Sequence, residues 1–260
     1  MILSTWNVNS IKVRLPAILQ YLQEQKPDVL VLQETKCLDE NFPSNDLMEV
    51  GYHSVFCGQK TYNGVAILSN KKLDDVSLNP VSTVEGEMRS IAASFDDIRI
   101  INLYVVNGQS VGTPKFTYKI KWFKKLLDYT NIESKKYKNM IIMGDFNIAP
   151  NDDDVFDVEA TANQVLCSSQ ERTLLAELLS QGFYDLFQDF TFPPKTFTWW
   201  DYRGGAFHRN IGYRIDLILG TISIKQKCLD YIIDKETRHK SWCLLEPRTS
   251  DHAPCRVILK

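Results

Sequence analysis

The sequence lacks most features that mark a secreted, zinc-binding or membrane protein. Its six cysteines include no C-x-x-C pair and its four histidines are scattered, so neither a disulfide framework nor a zinc site is indicated. No apolar run approaches the length of a membrane-spanning helix. Met1-Ile2-Leu3 leads into Thr5-Trp6-Asn7 without the basic segment and cleavage site of a signal peptide. These absences predict a soluble cytoplasmic protein with reduced thiols and no membrane partner.

An excess of charge of either sign is also missing. The 260 residues carry 30 Lys and Arg against 32 Asp and Glu, with a net charge of −2. A surface that binds nucleic acid would therefore have to be local. No G-x-G-x-x-G follows the first predicted strand, which disfavours a dinucleotide-binding fold.

What the sequence does contain is a repeated placement of polar residues where buried strands end. The apolar run Met140–Met143 leads straight into Gly144-Asp145-Phe146-Asn147, where the glycine frees the backbone to turn. The segment Asp28–Gln33 also contains an apolar run, and Glu34 follows at its end. A carboxylate beside a buried strand loses hydration and needs a partner, usually a metal, a base or a substrate proton.

Taken singly, each of these polar residues could be a turn residue or a cap. Independent turns do not each require an acid beside a buried strand, so together the residues indicate one shared polar site. The set comprises Asn7, Glu34, Asp145, Asn147, Asp216, Asp251 and His252.

This set is rich in hard oxygen ligands and holds one histidine. Oxygen ligands favour magnesium or manganese over zinc. Such a metal suits hydrolysis of a phosphodiester or phosphomonoester, because it stabilises charge on the phosphoryl group and the leaving oxygen. A lone histidine is more often structural than catalytic. However, Asp251 precedes His252 and Asp216 could orient its ring, as in other base–orienter pairs.

The segments between these residues predict a layered fold. Ile2–Trp6 and Asp28–Gln33 are predicted strands, and the helix between them completes a β–α–β unit. Ile91–Phe95 and Ile98–Leu103 predict an antiparallel hairpin across a two-residue turn. Two rounds of strand and helix material indicate two similar halves. We therefore predict that residues 1–260 form one domain, a sandwich of two mixed sheets with helices outside.

Two helix starts are marked by capping residues. Thr113-Pro114 provides an N-cap and a proline at the first helical position, and Ser168-x-x-Glu171 is a capping box. In the first of these helices the apolar residues are predicted to share one face and the lysines, Lys119 among them, to lie on the other. The apolar residues are Phe116, Ile120, Phe123 and Leu127.

Two stretches favour nucleic acid as a partner. Between Gly112 and Met140 there are eight lysines against two acids, and residues 197–214 alternate aromatic residues with arginines. Lysines can contact phosphates, and aromatic rings can stack on bases. Each stretch also has an ordinary interpretation, as a solvated helix face or as core aromatics.

The motifs, taken together and in order, resemble those of the exonuclease III family, apurinic/apyrimidinic endonucleases of the endonuclease/exonuclease/phosphatase superfamily. The resemblance runs from the first strand to the last. The motifs that carry it are Trp6-Asn7-Val8-Asn9, Leu32-Gln33-Glu34-Thr35-Lys36, Gly144-Asp145-Phe146-Asn147, Trp199-Trp200-Asp201-Tyr202-Arg203, Arg214-Ile215-Asp216-Leu217 and Ser250-Asp251-His252-Ala253-Pro254.

The resemblance implies an α/β (α+β) fold, a four-layered α/β/β/α sandwich of two mixed β-sheets flanked by helices, deoxyribonuclease I-like. It implies a monomer that acts on double-stranded DNA with abasic sites or 3′ ends. The expected reaction is magnesium-dependent hydrolysis 5′ to abasic sites, with manganese as a possible substitute. The expected accompanying activities are 3′-to-5′ exodeoxyribonuclease and 3′-end cleaning in base excision repair.

The resemblance also implies roles for individual residues. The catalytic residues would be Asp145, Asn147, His252, Asp216 and Tyr104, and the metal ligands Glu34, Asn7 and Asp251. The DNA-binding residues would be Lys36, Asn107, Lys119 and Arg203, and the abasic-sugar pocket would comprise Trp199, Tyr213 and Ile215. Whether Asp145 or His252 is the base, and whether one or two metal ions bind, stay open at this stage.

Two other functions are compatible with parts of the pattern. A phosphatase or phosphodiesterase of the same superfamily, acting on inositol phosphates, sphingomyelin or RNA tails, would share the acidic motifs. Such a relative should lack the lysine helix and the aromatic–arginine stretch. A non-catalytic DNA-binding protein is disfavoured, since every expected catalytic position is filled.

Overall fold

Two six-stranded β-sheets form the centre of the computed structural model, which describes residues 1–83, 86–245 and 248–260. The strands are β1 (Ile2–Asn7), β2 (Val29–Gln33), β3 (His53–Cys57), β4 (Val65–Ser69), β5 (Asp74–Leu78), β6 (Ser90–Phe95), β7 (Ile98–Tyr104), β8 (Met140–Asp145), β9 (Phe183–Asp185), β10 (Asp216–Thr221), β11 (Cys228–Ile233) and β12 (Cys255–Leu259). The helices are α1 (Ile11–Gln25), α2 (Ser44–Glu49), α3 (Pro114–Glu133), α4 (Val158–Thr161), α5 (Ser169–Ser180) and α6 (Ile222–Lys225).

The two sheets have similar topologies, as the two predicted halves require. The first sheet has the order β11-β12-β1-β2-β4-β3 and the second β5-β6-β7-β8-β10-β9. Each contains one parallel pair, β1 with β2 and β7 with β8, and the neighbours of these pairs are antiparallel. Helices α1 and α3 connect the parallel strands. The predicted sandwich of two mixed sheets is confirmed, and so is the β6–β7 hairpin.

The central strands are buried on both faces, which explains their continuous apolar sequences. In β2, Val29 and Val31 pack into the layer between the sheets, whereas Leu30 and Leu32 pack against α1. Strand β8 repeats this alternation, because its odd-numbered apolar residues face the other sheet and its even-numbered ones face α3 and α5. Helices thus cover both outer faces, and the α/β/β/α order follows.

Helix α3 begins as predicted, but its buried face includes a lysine that was predicted to be exposed. The Thr113 side chain accepts a hydrogen bond from the Phe116 N–H, and Pro114 opens the helix. The buried face includes Lys119 and Trp122, so the prediction that every lysine of this helix faces outward is wrong. In the parts of the chain that the structure describes, no helix combines the length and apolarity needed to cross a membrane.

One buried asparagine fixes the two sheets against each other. Asn102 of β7 is fully buried, and its amide donates hydrogen bonds to the carbonyls of Leu32 and Ala66 in the facing sheet, both at 2.9 Å. Its Oδ1 accepts a hydrogen bond of 2.7 Å from Gln33 Nε2. A different offset of the two sheets would leave these buried polar groups without hydrogen-bond partners, which is costly. The hydrogen bonds of Asn102 therefore fix the position of β2 relative to β7.

We predict that Asn102→Ala lowers the free energy of unfolding by about 2–4 kcal/mol, because it leaves buried donors and acceptors unpaired. Urea unfolding measures the change. The matched control is Asn139→Ala, which removes a hydrogen bond to Asp97 at the surface and should cost no more than about 0.5 kcal/mol. Equal losses in the two variants would contradict the role given to Asn102.

Candidate active site

Side chains from three distant parts of the chain meet at one end of the two sheets. Glu34 follows β2 in the first sheet, Asp145 ends β8 in the second, and His252 precedes β12. One ligand atom of each lies within 4.8 Å of the others. The predicted convergence of these residues is therefore observed. It arises because the ends of β2 and β8 are brought to the same edge when the sheets pack together.

Asn7, at the end of β1, connects the two carboxylates. Its amide nitrogen donates hydrogen bonds of 2.9 Å to Glu34 Oε1 and to Asp145 Oδ2. Its Oδ1 accepts a hydrogen bond from the Asn9 backbone N–H. The nitrogen of Asn7, rather than the oxygen predicted as a metal ligand, thus faces the site, and Asn7 orients the two carboxylates.

His252 is held by a carboxylate from β10. Its Nδ1 lies 2.9 Å from Asp216 Oδ2, and its Nε2 lies 3.8 Å from Asp145 Oδ2. The ring is almost completely buried. Burial opposes the charged ring, but the charges of Asp216 and Asp145 outweigh it and raise the pKa of His252 to about 10. The predicted pairing of Asp216 with His252 is present, and the ring carries its proton at neutral pH.

Asp145 lies in the most negatively charged part of the site. Burial raises the pKa of this carboxyl to about 7, opposed by the charge of His252 and assisted by Asp216 and Glu34. Crowded carboxylates in a poorly hydrated pocket are relieved by a divalent cation. The oxygen atoms of Glu34 and Asp145 suit a hard cation, so the residues present fit the predicted metal. Among the described residues they form, with His252, the acidic group able to hold an ion.

Asp251 does not belong to that group. Its two carboxylate oxygens accept hydrogen bonds of 3.0 Å, one from Asn9 Nδ2 and the other from Trp199 Nε1. These donors lower the pKa of Asp251 together with the charge of His252, against the effect of burial. Asp251 therefore borders the site through its neighbours.

Two amides line the second-sheet side of the site. Asn147 adopts a left-handed backbone conformation with φ of 48°, which asparagine tolerates better than most residues. Its backbone N–H donates to Asp145 Oδ1 at 2.9 Å, and its Oδ1 accepts from Asn107 Nδ2 at 3.0 Å. Asn107 is exposed, so this pair leads from the buried carboxylate to solvent.

Tyr104, the last residue of β7, lies beside the two carboxylates. Burial and the charges of Glu34 and Asp145 raise the pKa of Tyr104 well above that of a free tyrosine, so it stays a hydrogen-bond donor. The Arg89 guanidinium stacks over its ring at 4.7 Å and donates to its carbonyl. Arg89 was missed in the sequence, because a single arginine before an apolar strand gives no sign of what it will contact.

The four predicted DNA-binding residues lie in different environments. Lys36 lies at the rim, 2.8 Å from Glu34, and Asn107 is exposed next to Asn147. The Arg203 side chain is 90% exposed and pairs with Asp201. Lys119 is only 1% exposed and is paired with the buried Glu171. The prediction that Lys119 contacts DNA is wrong in this structure, because its ammonium group is enclosed by protein acceptors.

The three predicted sugar-pocket residues lie together next to the histidine. Trp199 and Tyr213 have ring centroids 5.7 Å apart, and the centroid of the Trp199 ring lies 6.4 Å from that of His252. Ile215 packs with both in a small apolar cluster. Leu166 also packs there, with an unusual φ of 75°. Nothing in the sequence distinguishes this leucine, since it stands in a loop before an ordinary capping box.

We predict that Asp216→Asn lowers the pKa of His252 by at least about one unit, because the variant removes the nearest charge that stabilises the protonated ring. An NMR titration of the metal-free protein measures this pKa. The exposed His208 provides an internal control in the same spectra. An unchanged titration of His252 would contradict the electrostatic account of the pair.

Comparison with known proteins gives the same picture over the whole chain. Residues 4–252 match the model of the Endonuclease/Exonuclease/phosphatase family. The exodeoxyribonuclease of Bacillus subtilis (strain 168) is 32% identical, covering 100% of this chain and 99% of that relative. Exodeoxyribonuclease III of Haemophilus influenzae is 31% identical, covering 96% of each.

Solved structures agree closely with the fold. The 3′ phosphatase NExo from Neisseria, bound to a product DNA hairpin, has a TM-score of 0.95 and 41% identity over 100% of this chain and 99% of its own. An AP endonuclease from Archaeoglobus fulgidus has a TM-score of 0.92 and 34% identity over the same shares. The chain therefore belongs to the endonuclease/exonuclease/phosphatase family, as an exonuclease III-type member with the deoxyribonuclease I-like fold.

Proposed function

We propose that the protein is a magnesium-dependent DNA-repair nuclease acting in base excision repair. It would hydrolyse the phosphodiester 5′ to an abasic site, remove nucleotides from 3′ ends and clean blocked 3′ ends. The observation that carries the proposal is the meeting of Glu34, Asp145 and His252, with Asp216 behind the histidine. Relatives named as exodeoxyribonucleases and AP endonucleases supply the substrate class.

Glu34 and Asp145 would hold the metal, with Asn7 keeping both carboxylates in place. Bound there, magnesium (or manganese) would neutralise charge on the phosphoryl group and on the leaving oxygen. Lys36, at 2.8 Å from Glu34, would limit the negative charge of the site before the cation binds. Asp251 would act indirectly, by orienting Trp199 and Asn9.

The two titratable groups at the centre have different tasks. With a pKa of about 10, His252 keeps its proton and would place positive charge against the scissile phosphate. The pKa of Asp145 is about 7 in the metal-free site, and a cation bound beside it would lower this pKa. The ionised carboxylate would then accept a proton from the attacking water. This ordering favours Asp145 as the base. Asn147 would orient the water, and the Tyr104 hydroxyl would donate to the phosphate.

The DNA would lie across the same edge of the sandwich. The pocket formed by Trp199, Tyr213 and Ile215, beside His252, would receive the deoxyribose of an abasic site or the terminal nucleotide. Lys36 and Asn107 would contact the backbone at the rim of the site, and the exposed Arg203 would contact it further out. Phosphate contacts of this kind position the duplex without reading its sequence.

We further propose a single-domain monomer located in the cytoplasm. All six cysteines are free thiols and five are buried, which suits a reducing compartment. A shared apolar layer with residues from both sheets supports a single folding unit.

The wild-type protein should nick a duplex with one synthetic abasic residue and shorten 3′ ends when magnesium is present. A chelator should abolish both activities, and added magnesium should restore them, because the negative charge on the phosphate and on Glu34 and Asp145 would otherwise stay uncompensated. Gel analysis of labelled strands checks this. Turnover that survives chelation, or a preference for inositol phosphates, would overturn the proposal.

We predict that Asp145→Asn reduces kcat by about 100- to 10,000-fold, because an amide cannot accept the proton of water. Circular dichroism should show an intact fold. The matched control is Asp46→Asn, at an exposed position on α2, which should leave kcat unchanged. A near-normal rate for Asp145→Asn would reject the role of Asp145 as base.

A further inference from the structure

A buried ion pair lies directly behind the site and is not used by the chemistry proposed above. Lys119 of α3 is 1% exposed and Glu171 of α5 is fully buried. The Lys119 ammonium donates to three acceptors: a carboxylate oxygen of Glu171, the Asn147 carbonyl at 2.6 Å and the Asn107 carbonyl at 3.1 Å. An ammonium group has three donors, so each has a protein partner.

Both carboxylate oxygens of Glu171 likewise accept hydrogen bonds from protein donors. One of its oxygens accepts from the Leu166 N–H at 3.0 Å, in addition to Lys119. The other accepts from the N–H of Ser168 at 3.0 Å and from its hydroxyl at 2.5 Å, closing the capping box of α5. The pair therefore joins the loops after β7 and β8 to the loop that carries Leu166 into the apolar pocket.

The two carbonyls that accept hydrogen bonds from Lys119 are the backbone carbonyls of Asn107 and Asn147, whose side-chain amides line the site. Asn107 and Asn147 bond to each other, and the Asn147 N–H bonds to Asp145. Packing alone does not explain an ion pair here, since a buried pair is often no more stabilising than apolar residues of similar volume. An apolar pair, however, could not satisfy these carbonyls or fix where the amides point.

We propose that Lys119 and Glu171 are positioning residues for the reaction, acting through Asn107 and Asn147 to hold both amides in register with Asp145. This inference rests on the proposed nuclease function. It replaces the predicted contact between Lys119 and DNA with a role behind the protein surface. A displacement of the amides by a fraction of an ångström would then be felt at the attacking water.

The test compares two variants with a control pair. Lys119→Met leaves the Glu171 charge uncompensated, whereas Lys119→Met/Glu171→Gln removes both charges and keeps an acceptor for the capping box. The control is Arg99→Met/Glu133→Gln, which neutralises the buried pair between β7 and the far end of α3. The melting temperature of each protein is determined first. Its kcat, its KM and its DNA affinity at several salt concentrations are then measured well below that temperature.

The double variant should be more stable than Lys119→Met, yet both should show a kcat lowered by about 10- to 100-fold. DNA affinity should fall only slightly, through the displaced Asn107, and its salt dependence should match the wild type, since no cationic phosphate contact is lost. The control pair should lose stability without losing kcat. If the double variant recovered both kcat and stability, the Lys119–Glu171 pair would have only a structural role. A weaker DNA affinity with a smaller salt dependence would instead indicate that Lys119 contacts DNA.

Hydrogen exchange without DNA separates this inference from the proposed function. Segments 105–109 and 146–150 should exchange faster in both Lys119 variants than in the wild type or the control pair, whatever the substrate of the protein is. Unchanged exchange in these segments would overturn the positioning role. If the wild type were inactive on DNA but exchange still increased in the Lys119 variants, only the proposed function would be overturned.

Discussion

The Asn7 amide, which donates one hydrogen bond to Glu34 and another to Asp145, joins the two halves of the site. One carboxylate belongs to each sheet, and two carboxylates this close repel each other unless donors or a cation lie between them. The offset of the sheets, set by Asn102, decides whether these groups meet at all. The rest of the site is arranged around Asp145: His252 approaches from one side and Asn147 from the other.

The different acid–base tasks proposed for Asp145 and His252 follow from their different environments. Asp216 contributes to both, because its charge stabilises the protonated ring and disfavours ionisation of Asp145. Pairs whose surroundings give their groups different tasks are typical of catalytic sites. The proposed choice of Asp145 as the base depends on burial and neighbouring charge, and neither of these can be read from a motif.

Much of the fold and the centre of the site could be predicted from the sequence. Strands buried on both faces have continuous apolar runs, so β2 and β8 were evident, and the acids after them marked the shared edge. Strand β5 was missed because it is an exposed edge strand with the sequence Asp-Asp-Val-Ser-Leu, whose two apolar residues are too few to indicate a strand. Lys119 was misplaced because a lysine inside a helix normally faces water, and its partner Glu171 lies 52 residues away.

The orientation of side chains was a further limit. The sequence favoured oxygen ligands from Asn7 and Asp251, but the structure directs the Asn7 nitrogen at the carboxylates and engages Asp251 with Asn9 and Trp199. Such details depend on which loops lie opposite one another. The alternative of a phosphatase or phosphodiesterase acting on inositol phosphates, sphingomyelin or RNA tails is disfavoured by the exodeoxyribonuclease relatives, which match this chain over its length.

The proposed reaction depends on carboxylates from two separate sheets sharing one cation. The most direct measurement is anomalous X-ray diffraction from crystals of the protein soaked in manganese. We expect an anomalous peak between the carboxylate oxygens of Glu34 and Asp145 that is lost in crystals of Glu34→Gln. A peak at another position, or one that persists in Glu34→Gln, would contradict the shared cation.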